Sequence, residues 1–210
     1  MRIERGKQTD PEYLAVNPLG RVPALVTASH GTITEVPAVL SFIADAAPNR
    51  CLLTPAGTSE HYEALRWLAY LSSTVHPAFG RLWRADRFTT EAGCMSTVER
   101  AAAAQIASDF RHMDRVIAGK LFAVGMTISI ADFYLFVFGR WGLRLTPGTR
   151  EFPNLHRHTM TIAELDATRR AMTQQGITLE DRNRAPARKR FDRFVQYLTS
   201  QVKGLLPVGY

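Results

Sequence analysis

The stretch NPLGRVPALVTASHGTITEVPAVLSFIADAA, residues 17–47, decides the fold of the first part of this chain. Pro18 and Gly20 stop whatever precedes them, because neither residue continues a helix or strand. Two β-prone runs, VPALV and TITE, then flank a Ser29-His30-Gly31 connection, the pattern of a hairpin. Pro37 fits the first turn of a helix and opens PAVLSFIADAA, in which Val39, Leu40, Phe42 and Ile43 share one face. Upstream, DPEYLAVN (10–17) reads as a short helix, with Asp10 placed to cap, Pro11 at the first helical position, and Tyr13, Leu14 and Val16 on an apolar side. A helix, a hairpin and a helix are therefore predicted before residue 48.

The composition changes there. PNRCLLTPAG (48–57) carries two prolines and a glycine without a helical period, and reads as a linker. Beyond it the patterns are helical: residues 58–84 and 91–118 have few breakers, and ERAAAAQIASDF has high intrinsic helix propensity. Ser129 and Asp132 have the spacing of a capping box immediately before the apolar run FYLFVF, where they would satisfy amides at the start of a buried helix. Trp67, Trp141, Phe133, Tyr134, Phe136 and Phe138 suit a helical core. PGTREFPNL breaks the chain before a further helix to about Gln175.

Hydrophobic residues make up 46% and charged residues 21% of the 210 residues, which excludes a disordered chain. Two cysteines without CxxC spacing argue against both a disulfide framework and a metal site. The N-terminus has no apolar signal region, and no run of eighteen apolar residues occurs, so a cytoplasmic protein without a membrane span is expected. The net charge of +7 would suggest nucleic acid, but from Asp181 to Tyr210 seven basic residues face two acids, so the excess is concentrated in that segment and nucleic acid is not expected as a partner. In the same segment Phe191, Phe194, Val195, Leu198, Val202 and Leu205 fall on one helical stripe. It reads as an added packing helix, as a surface for acidic partners, or as sequence without a role.

Four pieces stand in a telling order: NPLGRVPALV (17–26), TEVPAVLSFIA (34–44), SIADFYLF (129–136) and FPNL (152–155). They are similar to the NPxGxVPxL, ESxAIxxYI, SxAD and FPxL signatures of cytosolic glutathione transferases. WLAYLSSTVHPAFG (67–80) resembles the corresponding region of the bacterial beta-like members. The resemblance covers about residues 8–177. It implies an α+β protein, a thioredoxin-like N-terminal domain followed by an all-α helical bundle. The expected division is 1–46 for the first domain, 47–57 for the linker, 58–177 for the bundle and 178–210 for a basic amphipathic extension. Arg2-Ile3-Glu4 would be the remnant of the family's second strand, so the first strand and helix, whose junction carries the thiol-activating residue, are expected to be missing. No residue here takes that role by alignment.

The resemblance also implies a site for glutathione as cosubstrate. Pro23 matches the family's cis-proline, which would turn the backbone of Val22 outward to pair with the cysteinyl part of the peptide by strand addition. Glu35 matches the acid of the family's Glu-Ser pair at a helix start that can receive the γ-glutamyl carboxylate. Val36 replaces the hydroxyl residue and keeps only its N–H. His76 falls where beta-like members place a histidine facing the active-site cleft, as the candidate catalytic residue or as a core histidine. Phe79, Trp83 and Arg84 follow at helical spacing, as a substrate pocket or as packing. The reading is a glutathione S-transferase-like protein, conjugating glutathione to a small electrophile or reducing a disulfide-like substrate, impaired in this chain, and forming a homodimer. The alternative is a non-catalytic glutathione-transferase-like binding or dimerisation protein.

Overall fold

In the hairpin, strands β1 (Ala24–Thr27) and β2 (Gly31–Thr34) pair antiparallel, with Ala24 opposite Thr34 and Thr27 opposite Gly31. Period-2 alternation sets the faces: Leu25 and Thr27 are buried and Val26 is exposed. The connection is closed by the Thr27 hydroxyl, which donates to the Gly31 carbonyl at 3.1 Å and accepts from the His30 N–H at 2.9 Å. Gly31 takes φ +64°, which a side chain would resist. Helix α2 (Val36–Ala46) follows directly and lays Val39 and Ile43 on Leu25, with Ile33, Phe42 and Ala46 around them. Burying each of Leu25, Val39 and Ile43 contributes about 1.5–3 kcal/mol.

The computed structural model describes residues 7–179. The strand remnant expected at Arg2-Ile3-Glu4 and the amphipathic stripe from Phe191 to Leu205 lie outside them. The predicted 10–17 helix is the single turn α1 (Pro11–Leu14). Asp10 occupies its cap position but makes no side-chain cap bond; its backbone N–H instead donates to Lys7 at the end of a 3-10 turn. Among the described residues, two compact units are formed, one by 7–54 with 166–179 and the other by 55–165. The division at Thr54–Pro55 falls inside the stretch that reads as a linker, whereas α8 (Asp166–Gln175), placed by sequence with the helical bundle, groups with the first unit.

The second unit holds α3 (Ser59–Tyr70), α4 (His76–Trp83), α5 (Ala92–Val116), α6 (Ile130–Gly142) and α7 (Pro153–Ala163). Between α3 and α4 the helix widens into a π-turn over Leu71–Val75, where the His76 N–H reaches back five residues to Leu71. Pro77 has no N–H to donate to Ser73, so the regular ladder cannot continue there. Every residue of α6 except Phe133 is buried, the signature of a central helix. Phe79, Phe110, Phe136 and Phe138 fill the space around it. Gly139 lets Thr159 of α7 approach where a Cβ would collide with its hydroxyl. The single further helix predicted to Gln175 is broken into α7 and α8. Asp114 of α5 starts α7 from outside, its carboxylate accepting the N–H groups of Asn154 and Leu155 at 2.7 and 3.0 Å. No described helix is long and apolar enough to cross a membrane.

Candidate functional site

The hairpin register brings together residues that are far apart in sequence. Ala24 and Thr34 form the last pair, so Val22–Pro23 and Glu35–Val36 flank the same open end of the hairpin. The Val22–Pro23 bond is cis. Pro23 is buried and Val22 half-buried. Glu35, exposed, has φ 66° and ψ 130°, a conformation that side chains resist at a cost of about 1–3 kcal/mol. It turns the chain sharply from β2 into α2, and its carbonyl accepts the first helical bond from Val39 at 3.0 Å. Val36 and Ala38 supply N–H groups in the first turn, Pro37 supplying none. Val36 itself is buried at its side chain. An extended peptide has main-chain partners at one side of this end and helix-start amides at the other.

The turn preceding Val22 is fastened by Tyr13, which the sequence offers as an apolar-side residue, and Asn17, which it offers only as the start of the NPLGRVPALV stretch. The hydroxyl of Tyr13 and the side-chain amide of Asn17 both donate to the carbonyl of Arg21, at 2.6 and 2.7 Å. Their i, i+4 spacing at the end of a helix, just before a turn, was the available signal.

In the second unit, His76 packs against the rings of Phe138 and Trp141, with centroids 5.8 and 5.7 Å away. Burial pulls its pKa down from 6.5 to about 4, so the imidazole is neutral at pH 7. Phe79 has no exposed surface and lies 5.0 Å from the ring of Trp83. Trp83 is half-buried and meets Trp141 edge-on at 4.6 Å. Arg84 is held by two parallel bonds to Asp86, Nε to Oδ1 at 3.1 Å and Nη2 to Oδ2 at 3.0 Å. His76, Phe79 and Trp83 thus share one aromatic group, with Arg84 at its helical end.

Ser129 and Asp132 meet at the start of α6. Asp132, with no exposed surface, accepts the Ser129 N–H at 2.7 Å and the Ser129 hydroxyl at 3.0 Å on Oδ2. Its Oδ1 accepts the Ala123 N–H at 2.7 Å and faces Nε2 of the buried His158 at 2.8 Å. The Asp132 side chain accepts every other bond it makes here, and Nε2 of His158 is the matching donor. The sequence reading did not find His158, because nothing in its local pattern points to a partner 26 positions away. Among the described residues no cluster of three His, Cys, Asp or Glu side chains could hold a metal ion.

Comparison with known proteins covers both halves of this arrangement. Residues 2–46 match the family model "Glutathione S-transferase, N-terminal domain", and residues 96–166 match "Glutathione S-transferase, C-terminal domain". Glutathione S-transferase GstA of Escherichia coli O157:H7 is 28% identical over 176 residues, 84% of this chain and 82% of that protein. A bacterial beta class glutathione S-transferase of Sphingomonas chungbukensis superposes with TM-score 0.70 at 31% identity, covering 79% of each chain. A sphingomonad glutathione S-transferase complexed with glutathione does so with TM-score 0.70 at 32% identity, again over 79% of each. The thioredoxin-like first part with its small sheet and the helical second part are those of these proteins. On the agreement of both family models, the order of elements and the coverage of the bacterial relatives, the chain belongs to the glutathione S-transferase family, whose cosubstrate is glutathione.

Proposed function

We propose that this chain binds glutathione at the open end of its hairpin, with the backbone of Val22 beside Pro23 pairing with the cysteinyl residue and the α2 amides after Glu35 receiving the γ-glutamyl carboxylate. The observation that carries the reading is the register, which sets both pairs of residues at one end of two short strands. The reaction class is transfer of the glutathione thiol to a small electrophile, or reduction of a disulfide-like substrate. The thiol must ionise to react, and Cys51 and Cys94, both exposed, lie outside the hairpin end. Trp83 and Arg84 are the proposed electrophile-facing residues, with Phe79 backing Trp83. His76 acts as a neutral hydrogen-bonding imidazole in this reading, since a pKa near 4 makes it a weak base at neutral pH.

The alternative of a binding or dimerisation protein is favoured by Val36, which has no hydroxyl to offer the carboxylate. In either case a homodimer is the proposed assembly. The exposed stripe of Tyr62, Leu65 and Ala69 on α3 supports it. A cytoplasmic location is proposed from the two free, exposed thiols.

Titration of the purified chain with glutathione by calorimetry, followed by turnover with a general aromatic electrophile, tests the reading. Weak binding is expected in the parent. Val36→Ser restores one charge-assisted bond and tightens it about ten- to a hundredfold. A parent that binds no glutathione at millimolar concentration, with Val36→Ser equally inert, refutes the site. Binding without turnover selects the non-catalytic alternative.

A further inference from the structure

The carbonyl of Arg21 and the N–H of Val22 belong to one peptide unit. That unit is planar and trans, so the two groups point in opposite directions and fixing one aims the other. Arg21 O is fixed by two donors, the Tyr13 hydroxyl at 2.6 Å and the Asn17 amide at 2.7 Å. Both donors are nearly sealed from solvent, Asn17 at 4% and Tyr13 at 5% exposure. Both are held in turn. Tyr13 lies within α1, and its own carbonyl accepts the backbone N–H groups of Val16 and Asn17. The Asn17 side-chain oxygen accepts the Leu19 N–H at 3.2 Å, and its carbonyl accepts the Gly20 N–H at 2.9 Å. Gly20 closes the turn at φ +60°, where an added Cβ would stand 3.0 Å from the carbonyl oxygen of Gln8.

Resting on the glutathione reading above, we infer that Tyr13 and Asn17 are positioning residues for the peptide substrate: they pull the Arg21 carbonyl toward α1 and so direct the Val22 N–H away from it, toward the cysteinyl residue of glutathione. Neither side chain touches the substrate. Their action is to order a donor before binding, so that its conformational cost falls on folding rather than on association. Two donors on one oxygen suit this role, because a single bond leaves the peptide plane free to rock about its axis and a second, from a different direction, removes that freedom.

The test uses the full chain with Tyr13→Phe, which removes only the hydroxyl, and Asn17→Asp, which keeps the acceptor for Leu19 while losing the donor. Each is expected to weaken glutathione binding about three- to tenfold in calorimetric titration. Amide spectra of the ligand-free variants supply a readout that general destabilisation does not move. The Val22 resonance shifts in both variants while that of Val36, at the other side of the same end, stays in place. Folded variants with parental affinity overturn the inference and leave the glutathione site standing, as do variants in which the Val22 and Val36 resonances move alike. A parent that binds no glutathione overturns the site and this inference together.

Discussion

Replacing Asp132 by alanine withdraws the acceptor from four donors at once: the N–H groups of Ser129 and Ala123, the Ser129 hydroxyl and the His158 Nε2–H. The hydroxyl can rotate to another acceptor, but the two backbone donors and the imidazole are held by the chain. A buried donor left without a partner costs about 1–3 kcal/mol, so three of them amount to about 4–5 kcal/mol when partial relaxation is allowed for. That is a large share of the about 5–15 kcal/mol that stabilises an ordinary domain. Asp132→Asn is the more informative change. It keeps the shape but converts one oxygen into an NH2 donor. If the NH2 takes the Oδ1 place it opposes the Ala123 N–H, and if it takes the Oδ2 place it opposes that of Ser129. Either orientation sets donor against donor, and the expected loss is about 2–3 kcal/mol. The damage should also spread, because the Ala123 carbonyl accepts the Trp67 indole N–H at 3.2 Å. Urea unfolding followed by tryptophan fluorescence measures the loss, and hydrogen exchange at Ser129 and Ala123 locates it. If Asp132→Ala costs less than about 1 kcal/mol, or if those two amides exchange no faster than in the parent, the Asp132 hub is wrong.

Two further perturbations address the candidate site. Glu35→Gly and Glu35→Ala both remove the carboxylate, but only glycine accepts φ 66° without strain, so the glycine variant is expected to be about 1 kcal/mol more stable than the alanine variant in thermal or urea unfolding; equal stabilities would remove the strain argument. His76 supplies a pH dependence whose sign follows from its lowered pKa: the unfolded chain binds the proton first, so stability is full above pH 6.5 and falls as the pH drops toward 4. Between pH 7 and pH 5 the loss due to this group is about 2 kcal/mol, and His76→Phe should abolish that part of the slope. An unchanged slope in the variant would show that His76 does not titrate as its burial requires.

Local chemistry was legible wherever the chain carries its own punctuation. Pro37, Gly31 and the alternation around Leu25 specified the hairpin and α2 without reference to anything distant, and the Ser129 and Asp132 spacing announced the start of α6. Asp10 shows the limit of such reasoning: the residue type and position were right for a cap, yet the preceding 3-10 turn engages its backbone and its side chain forms no cap bond. The π-turn was visible in principle as a proline inside a helical pattern. Contacts across long separations were not. Asp114 starts a helix 40 positions away, and His158 completes the Asp132 hub from another helix. At the candidate site the sequence supplied Val22, Pro23, Glu35 and Val36 through resemblance. The two side chains that fasten the preceding turn stand at i, i+4, but that spacing alone does not name a shared partner: Tyr13 looks like a packing residue and Asn17 like a loop residue until both are seen to reach the same carbonyl.

The grouping of α8 with residues 7–54 sets a timetable for synthesis. A ribosome releases the hairpin and α2 first, then the whole of 55–165, and only afterwards the helix that completes the first unit. At about 5–20 residues per second the early segment waits roughly ten seconds for its last element. At the end of that interval, when residue 165 has been made, the uninterrupted second unit has every residue it needs and the first still lacks α8. The order of emergence therefore lets the helical part be complete before the first unit, and leaves the unit that carries the hairpin end waiting for its last helix.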